Sequence, residues 1–154
     1  MANLDHRAYL VGLLDQATHL YCKDLAALGE AVAEGASPRA AVDFTHEVAV
    51  VNRRIAARLR GDDPGEWPFQ EWAVAPEGLR SAEAAEGEMR SSVAELKDAM
   101  DGMTDAQLIE KRDIAGKETT PFEQIVFAGF HMSYHMGQLN YIQQLGGDMA
   151  VHWD

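Results

Sequence analysis

The sequence predicts an all-α fold: a four-helix bundle with a crossover connection, plus a short helix before the last long helix. Three observations predict it. Apolar residues recur at helical spacing through four long segments. Capping residues stand at helix starts, and glycines follow their ends. Nowhere do apolar and polar residues alternate with the two-residue period of a strand. With 154 residues the chain suffices for one domain with a real core, so 1–154 is read as a single domain.

The first helix lies in DHRAYLVGLLDQATHLYCKDLAALGEAVAEG, where Leu10, Leu13, Leu14, Ala17, Leu20 or Tyr21, Leu25, Leu28 and Val32 recur at helical spacing. Asn3 or Asp5 is its cap and Gly35 its end. In SPRAAVDFTHEVAVVNRRIAARLRG, Ser37 is a suitable N-cap, Pro38 a suitable first helical residue and Gly61 the stop. Residues 61–76 carry three prolines and two glycines around Trp67, Phe69 and Trp72, which reads as a long aromatic loop, long enough for a crossover. A third helix is expected from about Glu77 to Met100. In MTDAQL, Thr104 and Gln107 have capping-box spacing for a short helix. IEKRDIAGKE reads as irregular or a small hairpin. The last helix opens at TPFEQ, with Thr120 as cap, Pro121 at the first position and Glu123 reaching back, and ends near Leu145 before Gly146-Gly147.

The formal net charge of −12 repels phosphate backbones and anionic headgroups, which ranks nucleic-acid and membrane binding low. A single cysteine, Cys22, permits no intrachain disulfide and suits a reducing cytosol; the opening MANLDHRAYL lacks the apolar region of a secretory leader, so a cytoplasmic location is expected. Gln124–Gly147 carries no charge, but its histidines, glutamines and asparagine are costly in lipid, so a protein interior or subunit interface is its expected place.

Chemistry concentrates in GFHMSYHMGQLNY. His131 and His135 are four apart, so both occupy one helix face, a spacing that suits two nitrogens on one metal ion and equally two core histidines. A third nitrogen would complete a site with an open position. His46, in FTHEVAVVN, is the best of the other four histidines, although it lies on the shoulder of the stripe Phe44, Val48, Val51, Ile55 and periodicity alone does not bury it. Paired Glu-x-x-His motifs of a di-iron bundle, His-Glu-x-x-His, cysteine-rich zinc patterns, P-loops and nucleophile elbows are all absent.

HMSYHMGQLNYIQQL following TPFEQIVFAGF resembles the last helix of the DinB/YfiT-like superfamily, and FTHEVAVVNRRIAARLRG is similar to its second helix. The match runs through nearly the whole chain in order, and His-x-x-x-His-x-Gly-Gln is its specific part. The resemblance implies a bundle with crossover connections and one divalent metal, nickel or zinc, held by His46, His131 and His135. It also implies a homodimer. Characterised relatives include S-transferases that use a low-molecular-weight thiol and a thiol-dependent isomerase. The expected function is thus metal-dependent thiol S-transfer or hydrolysis on a small electrophilic molecule. The alternative is a non-catalytic, metal-stabilised dimeric bundle associated with stress.

Other residues carry blander readings. Arg53 reads as a salt-bridge partner rather than an anion holder. Gln138 orients a ligand or bonds a neighbouring helix. Trp67 and Trp72 form a lid or plug the bundle end, and Cys22 reads as a small buried hydrophobe.

Overall fold

A computed structural model describes residues 5–34 and 39–153. The chain is mostly helical. Helix α1 spans His6–Leu28, α2 Ala41–Arg60, α3 Ala82–Asp101, α4 Asp105–Ile109 and α5 Pro121–Leu145. Two short antiparallel strands, β1 (Arg112–Ile114) and β2 (Lys117–Thr119), pair Asp113 with Glu118 and form the small hairpin between α4 and α5.

Local side-chain bonds explain most of these boundaries. The Asp5 carboxylate accepts from the Ala8 N–H at 2.8 Å and starts α1; Asn3 lies outside the described residues. The main run of α1 ends earlier than expected, at Leu28, and tightens into a 3₁₀ segment at Gly29–Ala33; Gly35 is outside the described residues. So are Ser37 and Pro38. The first turn of α2 instead uses Asp43, whose Oδ2 accepts from the Ala40 N–H at 2.8 Å. Its Oδ1 accepts from the Ala75 N–H at 2.8 Å and so pins the aromatic loop to α2.

The expected third helix divides. Glu77–Leu79 is a separate 3₁₀ turn, and α3 begins after Ser81, whose extended backbone and hydroxyl cap Ala84. At α5 both halves of the capping box form: Thr120 Oγ1 accepts from Glu123 N–H at 3.0 Å, and Glu123 Oε2 from Thr120 N–H at 2.9 Å.

Helix α1 packs chiefly on α5 and α3, and α2 on α3 and α5. The long segment after α2 therefore joins two helices that touch each other directly. Between the helices lie Leu10, Leu14 and Leu25 of α1, Val48 and Ile55 of α2, Met89 and Leu96 of α3, and Ile125, Met132 and Leu139 of α5, all essentially inaccessible to water. Their burial supplies the dominant favourable term in folding. Some interior polar groups form chains of bonds: Thr45 donates to Ala41 C=O at 2.9 Å, so the Tyr21 hydroxyl, 3.2 Å away, donates to Thr45. Gly129 lets α5 approach α1, because a Cβ there would lie 3.0 Å from the Leu13 side chain. Among the described residues no helix is long and apolar enough to cross a membrane.

Candidate metal centre

The α2 and α5 pair brings chemistry-bearing side chains together. One turn apart on α5, His131 and His135 approach with Nε2 atoms 3.0 Å apart. From α2, Glu47 Oε1 reaches 3.8 Å from His131 Nε2 and 3.6 Å from His135 Nε2. Among the described residues these three form a group whose ligand atoms all lie within 4.8 Å of one another.

Each donor is oriented by a neighbour. His135 Nδ1 lies 2.6 Å from Gln138 Oε1. A carbonyl oxygen only accepts, so the imidazole proton sits on Nδ1 and the Nε2 lone pair faces the cluster. Glu47 Oε2 is held by Arg39 Nη2 at 2.5 Å, which leaves Oε1 for the histidines. The guanidinium lies over the Phe44 ring at 4.5 Å and near the Trp72 ring at 5.3 Å. Phe44 stacks on His135, Phe127 on His131, and Tyr134 meets His135 edge-on at 5.0 Å. A cleft of about 460 Å³ opens beside the cluster, walled by Phe44, Trp72 and Tyr134.

Burial pushes the His135 imidazole well below its ordinary value, and the neighbouring His131 adds to the effect. His131 is lowered too, by burial first, with the Glu47 carboxylate opposing. Both rings are therefore neutral at pH 7, the form a metal ion requires.

The donor set fits a divalent cation. Two ring nitrogens 3.0 Å apart repel if both present lone pairs, unless a proton or cation lies between them. His131 Nδ1 is buried without a hydrogen-bond partner, so no second bond fixes that ring's proton away from the cluster. Two imidazoles and a carboxylate are a known catalytic zinc set; bonds of about 2.0–2.1 Å place such donors roughly 3.3 Å apart, near the separations seen.

The third ligand implied by the resemblance is not in this group. His46 Nδ1 faces Glu88 Oε1 at 3.7 Å, and its ring meets Phe69 edge-on. Adjacent helix positions point about 100° apart, so His46 and Glu47 serve different faces of α2. Glu47 stands in its place: the side chains brought together are two imidazoles and one carboxylate, not three imidazoles. The sequence held a signal for it, since Glu47 lies three residues after Phe44 and four before Val51, inside the apolar stripe.

The remaining candidates have ordinary roles. Arg53 is paired with Glu88 at 2.5 Å and Glu95 at 2.8 Å across α2 and α3. Trp67 packs on Phe69 beneath Arg54, whereas Trp72 stands exposed at the rim of the cleft. Cys22 is buried.

No family model matches the chain, and no curated protein does.

Proposed function

We propose that this chain is a DinB/YfiT-like four-helix bundle that binds one divalent metal ion, zinc or nickel, through Glu47, His131 and His135. We further propose that its adjoining cleft acts on a small electrophilic molecule, by metal-dependent thiol S-transfer or hydrolysis. The observation that carries this reading is the convergence of one carboxylate oxygen and two Nε2 atoms within 4.8 Å beside an open cleft. Packing of α1 and α2 each against both α3 and α5 supports the bundle. Imidazole donors suit zinc and nickel alike.

A divalent ion held there supplies Lewis acidity, which lowers the pKa of a thiol or water near it. The chain's residues prepare that chemistry. Gln138 keeps the His135 proton on Nδ1, and Arg39 keeps Glu47 Oε2 out of the cluster. Phe44 and Tyr134 cover the histidine rings and limit water, which strengthens the electrostatics inside. With one carboxylate in the donor set, a bound divalent ion would keep a net positive charge, favourable for a thiolate or hydroxide nucleophile.

The test is turnover by the zinc- or nickel-loaded protein against a panel of low-molecular-weight thiols with epoxide and activated-halide acceptors, and against activated esters. Turnover that disappears on chelation and in His135→Ala supports the enzyme. A second reading rests on the donors' coming from both α2 and α5, so that the ion ties the two helices. A metal-dependent rise in melting temperature with no turnover favours it.

A further inference from the structure

The cleft beside the cluster has aromatic walls that binding an ion does not require. Trp72 is 68 % exposed and Tyr134 57 %, while Phe44 is buried. Both exposed rings are held in place. Trp72 is followed by Ala73 and Ala75, each buried, and the Ala75 N–H donates to Asp43 Oδ1 at 2.8 Å, so the backbone beside Trp72 is tied to α2. The Arg39 guanidinium lies 5.3 Å from the Trp72 ring. Tyr134 stands on α5 with its ring edge-on to His135 at 5.0 Å. Three carbon rings from three segments, α2, the aromatic loop and α5, thus converge on one volume of about 460 Å³. Rings already fixed lose little freedom when a ligand arrives, so the cleft is prepared before it is filled.

We propose that this cleft takes a planar aromatic molecule without positive charge, its ring seated against Trp72, Tyr134 and Phe44, so that the substrate beside the cluster is an aromatic electrophile. Resting on the reading of the cleft as the substrate site, this narrows the acceptor from any small electrophile to an aryl one.

Shape and charge choose the occupant. Aromatic rings pair with one another in offset or edge-on geometry, a gain that an alicyclic ring of similar bulk does not share. A cavity of about 150 Å³ holds benzene. At about 460 Å³ the cleft admits a substituted ring with a nucleophile beside it. Three aromatic rings and a carboxylate are also the parts of a quaternary-ammonium cage. Here the cation is built in: the Arg39 guanidinium lies over Phe44 at 4.5 Å and 5.3 Å from Trp72, and it bonds the Glu47 carboxylate. Arg39 and Glu47 are the charged side chains lining the cleft among the described residues, and they offset each other. A divalent ion at the cluster then makes the cleft positive, in a chain whose net charge is −12. A cationic ligand would meet repulsion from both the ion and Arg39; a neutral ring meets none.

Three probes of similar bulk test this by NMR titration of the isotope-labelled chain, metal-free and zinc-loaded: anisole, its alicyclic counterpart methoxycyclohexane, and the aromatic cation phenyltrimethylammonium. Anisole is expected to shift the Trp72 indole N–H resonance and not those of Trp67 or Trp153. It is expected to bind about five-fold more tightly than either other probe, the scale of one aromatic pair, with the margin over the cation widening when zinc is present. Trp72→Leu keeps apolar bulk and is expected to lose the preference for anisole, whereas Trp72→Phe retains most of it. Chelator competition is expected to give both variants the zinc affinity of the wild type. Methoxycyclohexane or phenyltrimethylammonium binding as tightly as anisole overturns the proposal. So does anisole that leaves the Trp72 resonance unmoved, or that binds Trp72→Leu as well as the wild type. The metal centre is judged apart, because the rings are present without an ion. A chain that selects anisole but takes up no zinc contradicts the metal centre alone; one that binds zinc and shows no preference for anisole contradicts only the aromatic cleft.

Discussion

His135 Nδ1 donates to Gln138 Oε1 across 2.6 Å, three residues along α5. This bond decides which nitrogen of His135 faces Glu47. Replacing Gln138 with leucine keeps the bulk and removes the acceptor, so the ring loses its fixed tautomer. Zinc affinity measured by competition with a chelator is expected to fall about 10–100-fold, the usual cost of losing an outer partner of a ligand, with circular dichroism unchanged.

Glu47 and His46 are neighbours in the chain with different partners. Glu47→Gln removes the anionic oxygen from the cluster and is expected to weaken zinc binding by more than the ~10–100-fold of an outer residue. His46→Ala is expected to leave stoichiometry and affinity within error of wild type. Its cost falls on stability instead. Arg53 is the main group that holds the Glu88 carboxyl below the ordinary range and His46 a smaller one, so the variant removes only the smaller. Equilibrium dialysis of both variants reads the contrast.

Burial lowers His131, and lowers His135 to about 4. An unfolded histidine titrates near 6.5. Between those values the unfolded chain binds more protons than the folded one, so stability falls as pH falls. The metal-free protein is expected to melt progressively lower between about pH 6.5 and pH 5. His135→Leu is expected to flatten that slope, since it removes the group with the larger shift. Thermal melts of both proteins across this window check it.

At the far end of α5 the tail folds back. Buried Asp24 accepts from Asn140 Nδ2 at 2.6 Å and from Trp153 Nε1 at 3.0 Å. Asp24→Asn sets an amide N–H₂ against a donor, leaving a buried group unpaired at a cost of about 1–3 kcal/mol. Denaturant unfolding gives the loss, and faster hydrogen exchange in residues 148–153 is expected to locate it.

What could be read from the sequence was mostly what neighbouring residues decide. Thr120, Pro121 and Glu123 announce the start of α5 because the whole capping box lies within four residues. The His131–His135 pair was legible for the same reason: helical spacing alone sets it on one face. The division of the third helix was not, because Ser81 competes as a cap inside a continuous apolar stripe. Glu47 escaped notice because a carboxylate in an apolar stripe declares its purpose only when a second helix supplies its partners. His46 was chosen for its apolar neighbours in the chain and then by resemblance, and the 100° between adjacent helix positions turns that ring toward Glu88 instead. Asp43, which ties Ala75 of the aromatic loop to α2, likewise depends on a contact 32 residues away.

The central claim is that Glu47, His131 and His135 together hold one divalent ion. Elemental analysis of the chain purified without a histidine tag, before and after incubation with zinc or nickel, tests it most directly. About one ion per chain is expected in the wild type, and a small fraction of that in His131→Ala/His135→Ala. A wild type that stays metal-free after reconstitution, or a double variant that binds as much as the wild type, contradicts it.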